Sequence, residues 1–176
     1  FFSGDESAYQ VTQKQPMKLA AMEGNYDGEH RAGLVAFGIL NPKKKPGDSE
    51  PTFLFDFTIP YALSILGQRD KQGFIPGIND LLFGNEKKGV ISMDSRMESG
   101  KKAVQALSDF NAAKKIGDTA AMDSAQQILQ ENMHNFGYGY LESKEQAVPP
   151  VAITFYSFHI MVALGSLFFL LFIIVL

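Results

Sequence analysis

The chain has no cysteine and no tryptophan, and its last 26 residues, Val151 to Leu176, contain no Asp, Glu, Lys or Arg. Without cysteine there are no disulfides and no thiolate metal sites, and the count leaves the compartment undefined. The charge gap says more. A bilayer core about 30 Å thick is crossed by about 20 helical residues rising 1.5 Å each, and a buried helix of a soluble core rarely needs a longer apolar run. The segment therefore reads as a transmembrane helix. It stands at the wrong end of the chain for a secretory signal. Also missing are a G-x-G-x-x-G cradle, a P-loop, H-E-x-x-H, G-x-S-x-G and any zinc spacing.

All 16 basic and 19 acidic residues precede the apolar run, for a net charge of −3. A mildly acidic balance argues against nucleic acid. The lack of a Lys/Arg excess points weakly to the extracytoplasmic side. The opening "FFSGDES" falls from aromatic to polar within three residues, like the last turn of an earlier span. The expected organisation is then the end of a transmembrane segment at 1–7, a structured loop at 8–148 and a transmembrane helix at 149–176. The expected fold is a mainly α membrane-protein fragment. Its loop domain holds a helical pair and a small β-hairpin, and one transmembrane helix follows.

Local signals fill in the loop. "KQPMKLAAME" (14–23) reads as a short helix with Pro16 in its first turn and Gly24 after its end. "LVAFGIL" (34–40) and "FLFDFTI" (53–59) read as paired strands, the second with Phe53, Phe55, Phe57 and Ile59 at period 2. The "NPKKKPGDSEP" between them reads as a solvated turn. "PYALSILGQR" (60–69) suggests a short helix capped by Thr58. Met93 to Ile116 suggests a long helix with a stripe of Met97, Gly100, Val104, Leu107 and Phe110. Gly117 and Asp118 separate it from a second helix bearing Met122, Ala125, Leu129, Met133 and Phe136. The two are expected to pack antiparallel, with methionines as core filler. His30 and His134 lie in polar surroundings that favour surface roles.

Two stretches carry chemistry. On a helix, Ser157, Met161 and Gly165 share one face, so a thioether lies between two small side chains. That is either a seat for a flat macrocycle whose metal takes the sulfur or a surface for close helix packing. His159 is about 200° around the helix from Met161. It is open to ligation of another group, pairing with a propionate or snorkelling. In "QPMKLAAMEG", Lys18 and Glu23 are about 140° apart on a helix. They are either solvated charges or a site of proton-coupled chemistry with Glu23 as acceptor.

In order along the chain, "GDESAYQ", "QPMKLAAMEG", "IPYALSILG", "GYGYL" and "SFHIMVALG" resemble subunit I of cytochrome bd-type quinol oxidases over essentially the whole length. The resemblance implies that 8–148 is that family's quinol-binding loop, on the extracytoplasmic side of a bacterial cell membrane, in a protein with many more spans. It implies that Lys18 and Glu23, from the K-L-A-A-x-E pattern, bind quinol. Met161, from R-I-M-V, would be an axial ligand of the low-spin haem b iron. A further haem b and a haem d would be bound mainly by residues elsewhere. The implied partners are ubiquinol or menaquinol, a second oxidase subunit, small accessory subunits and lipid. This sequence has "HIMV" for "RIMV", which makes His159 a candidate contact of the haem region with a charge that depends on protonation. The implied activity is quinol oxidation with reduction of oxygen to water in the full complex, the fragment alone being inactive. The rival reading is a non-catalytic helical interaction domain on a membrane anchor.

Overall fold

The structure, a computed structural model, describes residues 2–176, with side chains from Glu6 onward; Phe1, the first residue of the expected leading span, lies outside the described residues. The chain divides into two compact units, one formed by the residues up to Leu81 together with Val148–Leu176, the other by Leu82–Ala147.

In the first unit, α1 (Phe2–Lys14) runs through the expected boundary at residue 7 into α2 (Pro16–Glu23). Proline fits the first turn of α2 because its missing N–H would have no partner there. Gly24 ends the helix at φ 66°, the left-handed conformation that glycine adopts without steric cost. Strands β1 (Glu29–His30), β2 (Leu34–Leu40) and β3 (Phe53–Ile59) follow, then α3 (Ala62–Gln68) and β4 (Phe74–Ile75). The strands form two antiparallel pairs, β1 with β4 and β2 with β3. Leu19, Ala32, Leu63 and Ile75 make a buried cluster, with Val11 and Leu34 packed against it. Ser64 ties this core together. Its hydroxyl accepts from the Ala32 N–H at 2.8 Å and donates to the Gly73 carbonyl at 2.8 Å.

The β2–β3 hairpin matches the expected ranges, with three differences of detail in and beside it. Its register shifts between Val35 and Phe37 and again between Ile39 and Leu40. A bulge reverses which face later residues occupy. Phe55, Phe57 and Ile59 stay exposed together, whereas Phe53 turns onto Phe155 with ring centroids 5.6 Å apart. Thr58 does not cap α3. Its hydroxyl donates to Asp56 Oδ2 at 2.6 Å, and Tyr61, at φ 65°, precedes the helix without a side-chain cap. The connecting turn is also more ordered than a solvated excursion. Lys44 is buried, and its ammonium bonds Asp48 Oδ1 at 3.1 Å and the Asp48 carbonyl at 2.9 Å.

Helix α4 (Ile78–Phe83) leads out of the first unit in sequence. In the second unit, α5 (Met93–Ile116) and α6 (Thr119–Asn132) form the expected helical pair. Ser92 and Asp118 cap their N-termini and Gly117 terminates α5 at φ 74°. The buried line on α5 is Met93, Met97, Gly100, Ala103, Ala106 and Ala113; Val104, Leu107 and Phe110 are half-buried beside it. Small residues occupy the line because the partner backbone comes close. A side chain at Gly100 would collide with the Asn135 carbonyl and the Gly139 backbone. Met133 is a correction: α6 stops at Asn132, a 3-10 helix (Met133–Tyr140) takes over, and Met133 is exposed instead of filling a core.

The last element, α7 (Val151–Val175), returns to the first unit. At 1.5 Å per residue it is about 37 Å long, and it is long and apolar enough to cross a membrane.

Candidate functional site

The site is assembled where α2, β2 and α7 meet. Glu23 is the last residue of α2, and the chain must turn sharply behind it. A Cβ on Gly24 would approach Phe53 Cζ to 2.9 Å and Leu40 Cδ2 to 3.1 Å, so the hairpin closes directly over this turn. Glu23 is thereby only 3% exposed, which rules out the solvated charge, one of its two sequence readings. Its carboxylate accepts a hydrogen bond from the Val35 backbone N–H, while Oε2 has no partner. Burial penalises the charged form and raises its pKa to about 7, against the opposing influence of His159 and the Val35 N–H.

His159 faces the hairpin. Its Nε2 lies 2.8 Å from the Val35 carbonyl and its Nδ1 lies 2.9 Å from the Phe155 carbonyl one turn back. The ring stacks on Phe155 at 4.0 Å. Tyr156 adds a second tie: its hydroxyl oxygen accepts from the Leu40 N–H at 3.1 Å. These bonds make the Val35 backbone a bridge: its carbonyl meets α7 and its N–H meets Glu23. The Val35–His159 link has no signal in the sequence, because 124 residues separate the two.

Two cavities border Glu23. One, of about 210 Å³, is apolar and lined by residues including Val11, Leu19, Met22, Leu34 and Phe158. The other, of about 360 Å³, is of mixed character, more polar than the first: Asn25, Asp27, Glu29, Asp56 and Thr58 line it together with Val35, Phe53 and Leu63. A buried carboxylate facing an apolar cavity is suited to take a proton from a hydroxyl held there. Lys18 is exposed on α2 and lines neither cavity, so the structure does not bring it to Glu23.

Met161 stands on another part of α7, 61% exposed, with Ser157 exposed on the same face. A Cβ built on Gly165 meets nothing within 4 Å. An accessible thioether between two small residues fits one side of a haem, with the sulfur as donor to the iron. Among the described residues no group of three or more His, Cys, Asp or Glu side chains gathers to hold a metal ion, a pattern that a single thioether donor does not require.

The family model for cytochrome bd terminal oxidase subunit I matches residues 1–176. Cytochrome bd-II ubiquinol oxidase subunit 1 of Escherichia coli (strain K12) is 29% identical over 172 residues, covering 95% of this chain and 32% of that protein. The chain thus spans about a third of the length of the curated relative it matches. The bd oxidase structure from Geobacillus thermodenitrificans is 19% identical and covers 99% of this chain and 43% of that one, with a TM-score of 0.39, too low to bear on the fold. With a family model matched from end to end, on a sequence that already carries "KLAAME" and "HIMV" in order, this chain belongs to the cytochrome bd terminal oxidase subunit I family.

Proposed function

We propose that this chain is the quinol-oxidising part of a membrane-bound quinol:oxygen oxidoreductase, with its loop on the extracytoplasmic side. The observation that carries the reading is Glu23, buried, with one carboxylate oxygen unpaired, on the wall of an apolar cavity. A quinol presents an apolar ring with hydroxyl groups. The ring matches the lining, and Glu23 accepts a hydroxyl proton as the electron departs. A group with its pKa at about 7 both takes and returns protons at neutral pH. Val35 holds the carboxylate in place through its N–H, and His159 holds Val35.

Lys18 acts from the exposed flank of α2, outside both cavities, which suits steering or outer contact better than proton acceptance. Met161 would hold the low-spin haem b through its sulfur, with Ser157 and Gly165 leaving room for the ring. That haem, when bound, supplies the one-electron acceptor chemistry for quinol oxidation. The ring of His159 turns toward the hairpin, so its role in this reading is on the Glu23 side of α7. A second oxidase subunit, a further haem b and haem d complete the enzyme. Both ubiquinol and menaquinol carry the ring chemistry that the cavity matches.

The test is Glu23→Gln in the intact oxidase. Quinol-driven oxygen uptake is expected to fall about 100-fold or more, the usual worth of a general base. Uptake from an artificial electron donor that bypasses quinol should continue with normal haem content. Unchanged quinol kinetics would refute the reading.

A further inference from the structure

The two cavities beside Glu23 are separated by β2 itself. Successive side chains on a strand point to opposite faces. Leu34 lines the apolar cavity, while Gly33 and Val35 line the polar one. Among the described residues Glu23 and Leu63 border both, and Glu23 is the polar one of the two. Its carboxylate is the polar group shared by the two linings, and its Oε2 is buried without a partner. The polar side is built for positive charge. Asp27, Glu29 and Asp56 line it, and Asp56 is fixed by the Thr58 hydroxyl at 2.6 Å. The Asn25 side-chain nitrogen, buried and without a partner, belongs to a residue of the same wall.

We propose that Glu23 passes its proton through the β2 partition into this carboxylate-lined cleft, so that quinol enters on one side and the proton leaves on the other. The step rests on the quinol-oxidising reading above. Oxidation of the quinol to the quinone breaks two O–H bonds and releases two electrons one at a time; with each, a hydroxyl proton bonds to Glu23, and the haem, when bound, would supply the one-electron acceptor. The neutral carboxyl then gives the same proton to water in the cleft and returns to the carboxylate. Return through the apolar cavity is disfavoured, because the quinol fills it and, besides Glu23, its lining offers only Ser7 and Thr12 as polar side chains, the Thr12 hydroxyl already donating to the Ala8 carbonyl at 2.9 Å.

The charges around Glu23 agree with this direction. On the cleft side stand Asp27, Glu29 and Asp56, with Tyr26 in the same lining; on the α7 side stands His159. Carboxylates lining a cleft concentrate cations and lower the energy of a proton arriving there. With Glu23 poised at about 7, release needs only a modest bias.

The experiment is the Glu29→Gln, Asp56→Asn double variant of the intact oxidase, measured beside Glu23→Gln. The double variant is expected to keep its haem spectrum and quinol KM, to lose about tenfold in kcat and to show a larger solvent deuterium isotope effect. Restoring a carboxylate in the same background, as Asp56→Glu with Glu29→Gln, should recover part of the rate. If the double variant loses haem, Glu29→Gln alone, on an exposed two-residue strand, takes the same measurements. Wild-type kcat and isotope effect in the cleft variants, with Glu23→Gln impaired, would overturn the exit route and leave the quinol reading standing. Wild-type kinetics in Glu23→Gln would overturn both.

Discussion

Burial of Glu23 should make the stability of the protein depend on pH in a direction opposite to that of a salt-bridged carboxylate. In the unfolded chain this carboxyl ionises near its ordinary 4.5; in the fold burial raises it to about 7. Between these values the folded state holds a proton that the unfolded state has released. Stability therefore falls as pH rises across that window, by about 1.4 kcal/mol per pH unit. Below about 4.5 there is no penalty, and above about 7 the full cost is present. Its size is about 3 kcal/mol, a large fraction of the 5–15 kcal/mol that holds a typical domain together. Glu23→Gln removes the ionisation but leaves a buried amide, with its own constant cost of about 1–3 kcal/mol if unpaired. The informative quantity is thus the pH slope and not the stability at one pH. Thermal unfolding of the intact protein in detergent should be measured at pH 5, 6, 7 and 8 for both forms. The wild type should lose stability relative to the variant across the series, with the difference levelling off above about pH 7. Parallel curves would mean that Glu23 ionises as freely in the fold as in water and is not a buried proton acceptor.

Other outcomes test separate parts of the structure. Met161→Leu conserves volume at a typical cost below about 1.5 kcal/mol, and should assemble but lose the low-spin signal of one haem b; Met133→Leu, at an exposed position of the other unit, should leave the spectrum unchanged. Ser64→Ala removes the partner of the Ala32 N–H and of the Gly73 carbonyl in a fully buried place, and should cost about 1–3 kcal/mol in denaturant unfolding. Gly100→Ala forces a methyl group against the Gly139 backbone and should cost at least about 1–3 kcal/mol, whereas Gly89→Ala, whose Cβ meets nothing, pays only for its positive φ.

Where proline and glycine punctuate the chain, the sequence was readable. Pro16 and Gly24 bound α2, Gly117 and Asp118 divide α5 from α6, and the alternation of Phe53 to Ile59 marks a strand. These are local signals, written within a few residues. The period of β3 did not say which face would be covered, because the bulges that reorient Phe53 arise from pairing with β2. It was equally silent on Glu23. In α2 that residue looks like an ordinary helix-end carboxylate, and it becomes buried only because the hairpin and α7 close over it. The stripe on α5 was displaced toward its alanines for a related reason: the best-buried line is the one a neighbouring backbone approaches, not the one with the bulkiest side chains. The family pattern located Lys18, Glu23 and Met161 in the sequence, and the structure separates the first two.

The tie between Val35 and His159 also sets a timetable. A chain growing at about 5–20 residues per second completes β2 roughly 6–25 s before the ribosome supplies the histidine that anchors it, 124 positions later. During that interval the hairpin can form by itself, since its strands are close in sequence, but the carbonyl of Val35 must wait. Closing so long a chain segment is entropically costly. The wait ends when α7 appears, and α7 is the helix that has to enter the bilayer. Insertion of that helix and completion of the pocket around Glu23 thus become a single event in biogenesis, and a loop whose following span fails to insert never acquires its buried acid.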